Sequence, residues 1–242
     1  MNLPAGLFAP PVAHRGFWRT GEAPENSLSA FELACQAGYG IELDVRLSAD
    51  GEAVVFHDGT LERMTGHPGF LADLAAGELS RLPLQGGTDC IPTLARTLDL
   101  VAGRAMLLVE IKDPPAGGAL ETQVAERLDR YDGPACVISF EAEALAWFAE
   151  HRPDRLRGLD AQWLSDQEAL DSDGHLEIAF QAHFELARPH FLALEIESAM
   201  GRIAARHRAN GLPVVAWTVR SVDQAARVAK HCDNFIFEGF AP

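Results

Sequence analysis

The sequence predicts an α/β protein, a (β/α)8 TIM barrel with a short insertion after the second strand. Eight short runs of β-branched and aliphatic residues alternate with longer segments of helical period, the pattern of βα units around a parallel sheet. The chain's 242 residues match the roughly 250 that eight such units need. Gly38, Gly103, Gly133 and Gly211 each follow a helical segment and precede a strand, where a left-handed C-cap is expected. Alternation alone also fits an open, doubly wound sheet, so closure rests on the count.

The first strand is expected at Val12–Arg15 and the first helix at Ser27–Ala37. The second strand, Ile41–Leu47, meets the turn signal Asp50-Gly51, after which Glu52–His57 reads as the return strand of a hairpin. Residues 60–91 are rich in Gly and Pro, with at most one short helix near Leu71–Ala76; they read as an excursion over one mouth of the barrel. The third strand, Met106–Lys112, lies between helices at Thr93–Ala102 and Leu120–Tyr131. Strands follow at Cys136–Ser139, Leu156–Leu159, Phe191–Glu195, Val214–Val219 and Asn234–Glu238. The intervening helices are expected at Ala142–His151, Leu176–Ala187, Ala199–Ala209 and Val222–Lys230. The chain is read as one barrel domain over 1–242, with 60–91 as an insertion within it.

Twenty Lys and Arg stand against 35 Asp and Glu, a formal charge of −15. That balance disfavours nucleic acid, whose phosphates are held by clustered cations, and disfavours stable association with anionic membranes. No apolar run approaches the roughly 18 residues of a membrane span, and Met1–Val12 has neither the basic start nor the unbroken apolar stretch of a secretory signal. A soluble, cytoplasmic protein is expected; whether it forms a homo-oligomer is left open. Cys35, Cys90, Cys136 and Cys232 have no metal-ligand spacing and read as buried free thiols.

Carboxylates inside strands carry the chemistry. In Ile41-Glu42-Leu43-Asp44-Val45 the two acids share one face and the three aliphatics the other. With the aliphatics packed on helices, Glu42 and Asp44 point into the barrel near its C-terminal mouth, where such enzymes keep their sites. Glu110 and Lys112 repeat the device in the third strand. Charges aimed inward are costly unless paired or bound to metal. Three carboxylates from two neighbouring strands make an all-oxygen site, suited to one divalent cation, Mg2+ or Ca2+, rather than zinc. The bland alternative is a buried ion-pair network with Lys112 and Arg15.

His14 and His57 each lie near a strand terminus with a glycine close by, and two histidines can divide acid and base roles near neutral pH. His151, His207 and His231 lie near helix C-termini, where the macrodipole accounts for them. Arg15 and Lys112 could neutralise a phosphodiester together with a cation. No G-x-x-x-x-G-K motif is present, which disfavours nucleotide hydrolysis of that type.

The stretches Ala13-His14-Arg15-Gly16, Pro24-Glu25-Asn26-Ser27, Ile41-Glu42-Leu43-Asp44-Val45, Val54-Val55-Phe56-His57-Asp58, Ile91-Pro92-Thr93-Leu94, Glu110-Ile111-Lys112 and Ala216-Trp217-Thr218-Val219 run in family order. With them the chain resembles the bacterial glycerophosphodiester phosphodiesterases, (β/α)8 barrels with a small insertion after the second strand. The resemblance implies Glu42, Asp44 and Glu110 as metal ligands, His14 and His57 as the acid/base pair, and Arg15 and Lys112 as phosphate ligands. It also implies that Glu25 and Asn26 support the metal site and that Trp217 packs against the glycerol moiety. The implied reaction is metal-dependent hydrolysis of a small-molecule glycerophosphodiester to glycerol 3-phosphate and an alcohol.

Two positions depart from the family pattern: Arg220 follows Trp217-Thr218-Val219, and the last strand ends in Phe237-Glu238-Gly239. Arg220 either admits a second negative group on the substrate or pairs with Asp223 or Glu238. Three rival functions fit less well. A glycosidase would use paired carboxylates but leave His14, Arg15, His57 and Lys112 without jobs. A non-catalytic barrel binding phosphate esters would not need so complete a residue set. A lyase acting on lysophospholipids would favour an apolar rim on the 60–91 excursion.

Overall fold

A computed structural model describes residues 9–112, 117–163 and 175–242, the side chains of residues 175 and 176 excepted. The order of strands and helices is that of a (β/α)8 barrel, the expected fold class, with an antiparallel hairpin strand and a loop-rich excursion after the second strand. The chain divides into two compact units, one of Ala13–Ala135 and one of residues 1–12 with Cys136–Pro242.

The Ala13–Ala135 unit begins at the end of β1 (Val12–Ala13). In α1 (Leu28–Ala37) the Ser27 hydroxyl accepts from the Ala30 amide at 3.1 Å, an N-cap that satisfies one orphan donor of the first turn. The helix buries Ala30, Phe31 and Ala34, and Gly38, at φ 75°, closes it as expected. Next, β2 (Gly40–Leu47) pairs antiparallel with β3 (Ala53–Val55), Val45 opposite Val55, and parallel with β4 (Leu107–Ile111), Asp44 opposite Glu110. The excursion holds α2 (Glu62–Thr65), a 3-10 turn (Leu71–Asp73) and α3 (Ala76–Leu79), and α4 (Leu94–Val101) and α5 (Ala119–Leu128) complete the unit.

In the other unit β5 (Ala135–Ser139), β6 (Arg157–Ala161), β7 (Phe191–Glu195), β8 (Val214–Val219) and β9 (Asn234–Phe237) pair in parallel in chain order. The helices are α6 (Ala142–His151), α7 (His175–Ala187), α8 (Ile196–Ala199), α9 (Arg202–Ala209) and α10 (Val222–Val228). Arg220 pairs with Glu238, Nε to Oε1 at 2.7 Å, the second of the two expectations for it.

Several sequence expectations need correction. The first strand stops at Ala13 because Arg15 and Gly16 take positive φ (57° and 82°) and turn the chain. The return strand spans only Ala53–Val55, so His57 lies in the loop beyond it. The excursion has three short helical turns rather than one, because Leu61, Leu71, Leu79 and Leu84 pack with Val54 and Phe56 into a small core of their own, a tertiary cause that helical period cannot reveal. The helix expected at Ala199–Ala209 starts only at Arg202: Ala199 ends a separate one-turn helix, and Gly201 is extended between the two (φ −77°, ψ 171°). Gly133 is absent from the positive-φ glycines; instead, a Cβ there would lie 2.4 Å from the Tyr131 ring. All four cysteines are free thiols, but only Cys136 and Cys232 are fully buried.

Candidate active site

Strand pairing brings the three carboxylates together. Glu42 and Asp44 alternate onto one face of β2, and the parallel register sets Asp44 opposite Glu110 on β4. All three are buried, with exposures of 1%, 0% and 6%, and each offers an oxygen within 4.8 Å of the others. The arrangement is chemically suited to a divalent cation. The donors are hard oxygens, and Glu42 Oε1 is a buried oxygen with no hydrogen-bond donor among the described residues.

Their electrostatics differ. Burial, reinforced by the charges of Asp44 and Glu110, holds the Glu42 carboxyl well above the usual range. Burial and the neighbouring Asp44 push Glu110 up to about 7, against the pull of Lys112. Burial works on Asp44 in the same sense but is outweighed by Lys112 and Arg15, which hold it below the usual aspartate range. Lys112 Nζ lies 2.6 Å from Glu110 Oε1 and 3.2 Å from Asp44 Oδ1. Despite its burial, those two carboxylates raise its pKa, so it remains an ammonium.

The β1–α1 loop wraps the same carboxylates. The Arg15 amide donates to Glu42 Oε2 at 2.9 Å, its Nη1 donates to Glu25 Oε1 at 2.8 Å, and its Nε lies 3.4 Å from Asp44 Oδ2. Buried Asn26 donates from Nδ2 to Asp44 Oδ2 at 2.7 Å and accepts from the Asp44 amide at 3.3 Å. His14 Nε2 lies 3.9 Å from Glu42 Oε2. The turn needs Gly16, since a Cβ there would lie 2.9 Å from both Ala30 Cβ and Phe31 Cδ1.

His57 is held from the other side. Its carbonyl accepts from Arg46 Nε at 2.7 Å, and its Nδ1 lies 2.6 Å from Asp58 Oδ1. Burial resists charge on Asp58, but Arg63 and His57 prevail and keep it an ionised acceptor. Nδ1 therefore carries the proton in that bond, which leaves Nε2 unprotonated in the neutral ring. Burial lowers the imidazole's own pKa, with Asp44 opposing.

Nine of the ten sequence-selected residues thus fall within Ala13–Ala135. Glu25 contacts Arg15 and Arg63. Trp217 stands on β8 of the other unit, its ring edge-on to Phe140 at 5.5 Å. Sequence reasoning gave Asp58 no role, although its place beside His57 was a signal. It passed over Arg46 and Arg63 entirely; Arg46 was detectable as the next residue on the Glu42/Asp44 face of β2.

The glycerophosphoryl diester phosphodiesterase family matches residues 14–232. A glycerophosphodiester phosphodiesterase of Caldanaerobacter subterraneus subsp. tengcongensis is 27% identical over 236 residues, covering 90% of this chain and 89% of that relative. YhdW of Bacillus subtilis and a glycerophosphodiester phosphodiesterase of Bacillus altitudinis are 35% and 36% identical over 153 residues, and this chain spans only 61% and 62% of their lengths. Among solved structures, an Oleispira antarctica phosphodiesterase in complex with its product sn-glycerol-3-phosphate superposes with a TM-score of 0.80 at 26% identity, covering 96% of this chain and 93% of that one.

Proposed function

The chain belongs to the glycerophosphoryl diester phosphodiesterase family, and from that premise we propose that it hydrolyses glycerophosphodiesters to glycerol 3-phosphate and an alcohol in a metal-dependent reaction. The observation that carries the reading is the buried cluster Glu42, Asp44 and Glu110, with two histidines and two cations around it. In this reading Glu42, Asp44 and Glu110 hold one divalent cation, Mg2+ or Ca2+, and Asn26 fixes the orientation of Asp44. When bound, such a cation would neutralise phosphoryl oxygens and acidify whichever oxygen attacks, water or the glycerol hydroxyl.

The chain's own groups supply the remainder. The Arg15 guanidinium and the Lys112 ammonium balance the phosphate charge, the first as a fork and the second as a point charge. One histidine takes the proton of the attacking oxygen and the other protonates the leaving alkoxide, His57 working through Nε2. Packing of Trp217 against the glycerol moiety rests on the resemblance alone. Nothing favours the lysophospholipid reading: among the described residues of the excursion, Phe70 is the one large apolar side chain that is exposed, which is less than a rim.

No described helix is long and apolar enough to cross a membrane. With a chain charge of −15, attraction of an anionic substrate has to be local, from Arg15, Lys112 and the bound cation. The deciding assay measures glycerol 3-phosphate release from glycerophosphocholine and glycerophosphoethanolamine, with EDTA and with added Mg2+ or Ca2+. Release that depends on the cation is expected, together with loss of glycerol 3-phosphate binding in EDTA. No release with any cation refutes the reading.

A further inference from the structure

We propose that Arg63 is a positioning residue that fixes the His57 ring and the Arg15 fork in one arrangement, an inference resting on the roles just proposed for those two groups. Arg63 lies on α2, at the start of the excursion, and is 46% exposed, yet each of its three guanidinium nitrogens donates to one of two carboxylates. Nε donates to Asp58 Oδ2, while Nη2 and Nη1 donate to the two oxygens of Glu25 at 2.6 and 3.1 Å. Each carboxylate then passes the contact on. Asp58 Oδ1 meets His57 Nδ1, and Glu25 Oε1 also accepts from Arg15 Nη1. His57, Asp58, Arg63, Glu25 and Arg15 form one chain of ionic hydrogen bonds across two loops that are far apart in sequence.

The chain needs a planar fork, because a lysine at this place offers a point charge that cannot serve two carboxylates at fixed angles. Ion pairs made by a side chain as exposed as Arg63 add little to stability, so folding gains little from it. What depends on it is orientation. With Arg63 absent, Asp58 can swing away from Nδ1 and release the tautomer, and Glu25 loses the partner that holds it against Arg15.

The test uses the 15N-histidine-labelled protein, with the His57 signal assigned from His57→Gln. Wild type is expected to show a single Nδ1–H tautomer at His57, and Arg63→Met a mixture. In the glycerophosphocholine assay Arg63→Met should lower kcat about 10–100-fold, with KM shifted less than about threefold. The melting temperature should move by less than about 4 °C. Sub-denaturing guanidinium should restore part of the activity lost in Arg63→Ala. Arg63→Lys, which keeps the charge but not the fork, gives the same readouts should the neutral variants fail to fold.

A wild-type kcat with an unchanged His57 spectrum overturns the proposal. So does a kcat loss that follows a fall in melting temperature and is not restored by guanidinium. If wild type hydrolyses no glycerophosphodiester, the proposed function fails on its own, and the imidazole spectra still decide the role of Arg63.

Discussion

Asp44 and Glu110 face each other on neighbouring parallel strands, and Lys112 Nζ bridges them at 3.2 and 2.6 Å, yet their acidities diverge. Asp44 is held ionised, while Glu110 is pushed up to about 7. Between pH 4.5, the ordinary glutamate value, and pH 7 the folded metal-free protein keeps a proton on Glu110 that the unfolded chain has lost. That contribution is fully present below the unfolded value and is lost as pH rises through 7. Metal-free protein should therefore lose melting temperature from pH 5 to pH 8 relative to Glu110→Gln, in which the slope is removed. On the proposed metal role, a cation would have to displace this proton and the one that Glu42 holds, so its affinity should tighten with rising pH by up to about a hundredfold per unit. Calorimetric titration at pH 5.5, 6.5 and 7.5 checks this, and pH-independent affinity would refute the Glu110 assignment.

Asn26 is the only described side chain that hydrogen-bonds both the carboxylate and the amide of Asp44, and it sits at φ 55°, a conformation asparagine tolerates better than alanine. Asn26→Ala should cost about 2–3 kcal/mol, since hydrogen bonds to buried charged groups are worth about 1.5–3 and the backbone becomes strained. For a chain of this size that corresponds to a fall in melting temperature of roughly 4–12 °C. Cation affinity should weaken about tenfold because Asp44 is no longer oriented. Thermal melts paired with cation titration separate the two effects.

Gly16 ends the first strand where the chain must press against α1. Gly16→Ala places a methyl 2.9 Å from Ala30 Cβ and Phe31 Cδ1 at a φ of 82°. It should destabilise by about 2 kcal/mol or more, since both the space and the conformation are denied. Gly21 has a similar φ of 80° but nothing within 4 Å of an added Cβ, so Gly21→Ala should cost only about 1 kcal/mol of backbone strain. Equal losses in denaturant melts of the two variants would mean that the contact with α1 does not matter.

The sequence made the carboxylate cluster legible because strand alternation converts spacing directly into facing: Glu42 with Asp44, and Glu110 with Lys112, needed only the period of two. Helix caps were legible at Gly38 for a similarly local reason. The three helical turns of the excursion were not, because their stability comes from leucines meeting Val54 and Phe56 on another element. Arg63 was missed for the same cause. Its partners Glu25 and Asp58 lie 38 and 5 residues away, and only the fold joins them.

The Glu42 carboxyl is fully buried, faces two other acids, and has one oxygen without a donor among the described residues. Retaining a group in that state is costly to the metal-free fold, and on the proposed reading the compensating gain would be a ligand for a cation. Glu42→Gln keeps the shape and removes the charge. At pH 8 the metal-free variant should melt several degrees above wild type, since about 1–3 kcal/mol of unfavourable charge burial is relieved. The difference should shrink as pH falls, because burial and the two neighbouring acids hold the wild-type carboxyl above its usual range, so the folded protein takes up that proton before the unfolded chain does. Added Mg2+ or Ca2+ should stabilise wild type strongly and the variant weakly, reversing their order at pH 8. If Glu42→Gln melts below wild type in EDTA at pH 8, Glu42 is part of a stabilising ion-pair network instead, and its assignment as a metal ligand fails.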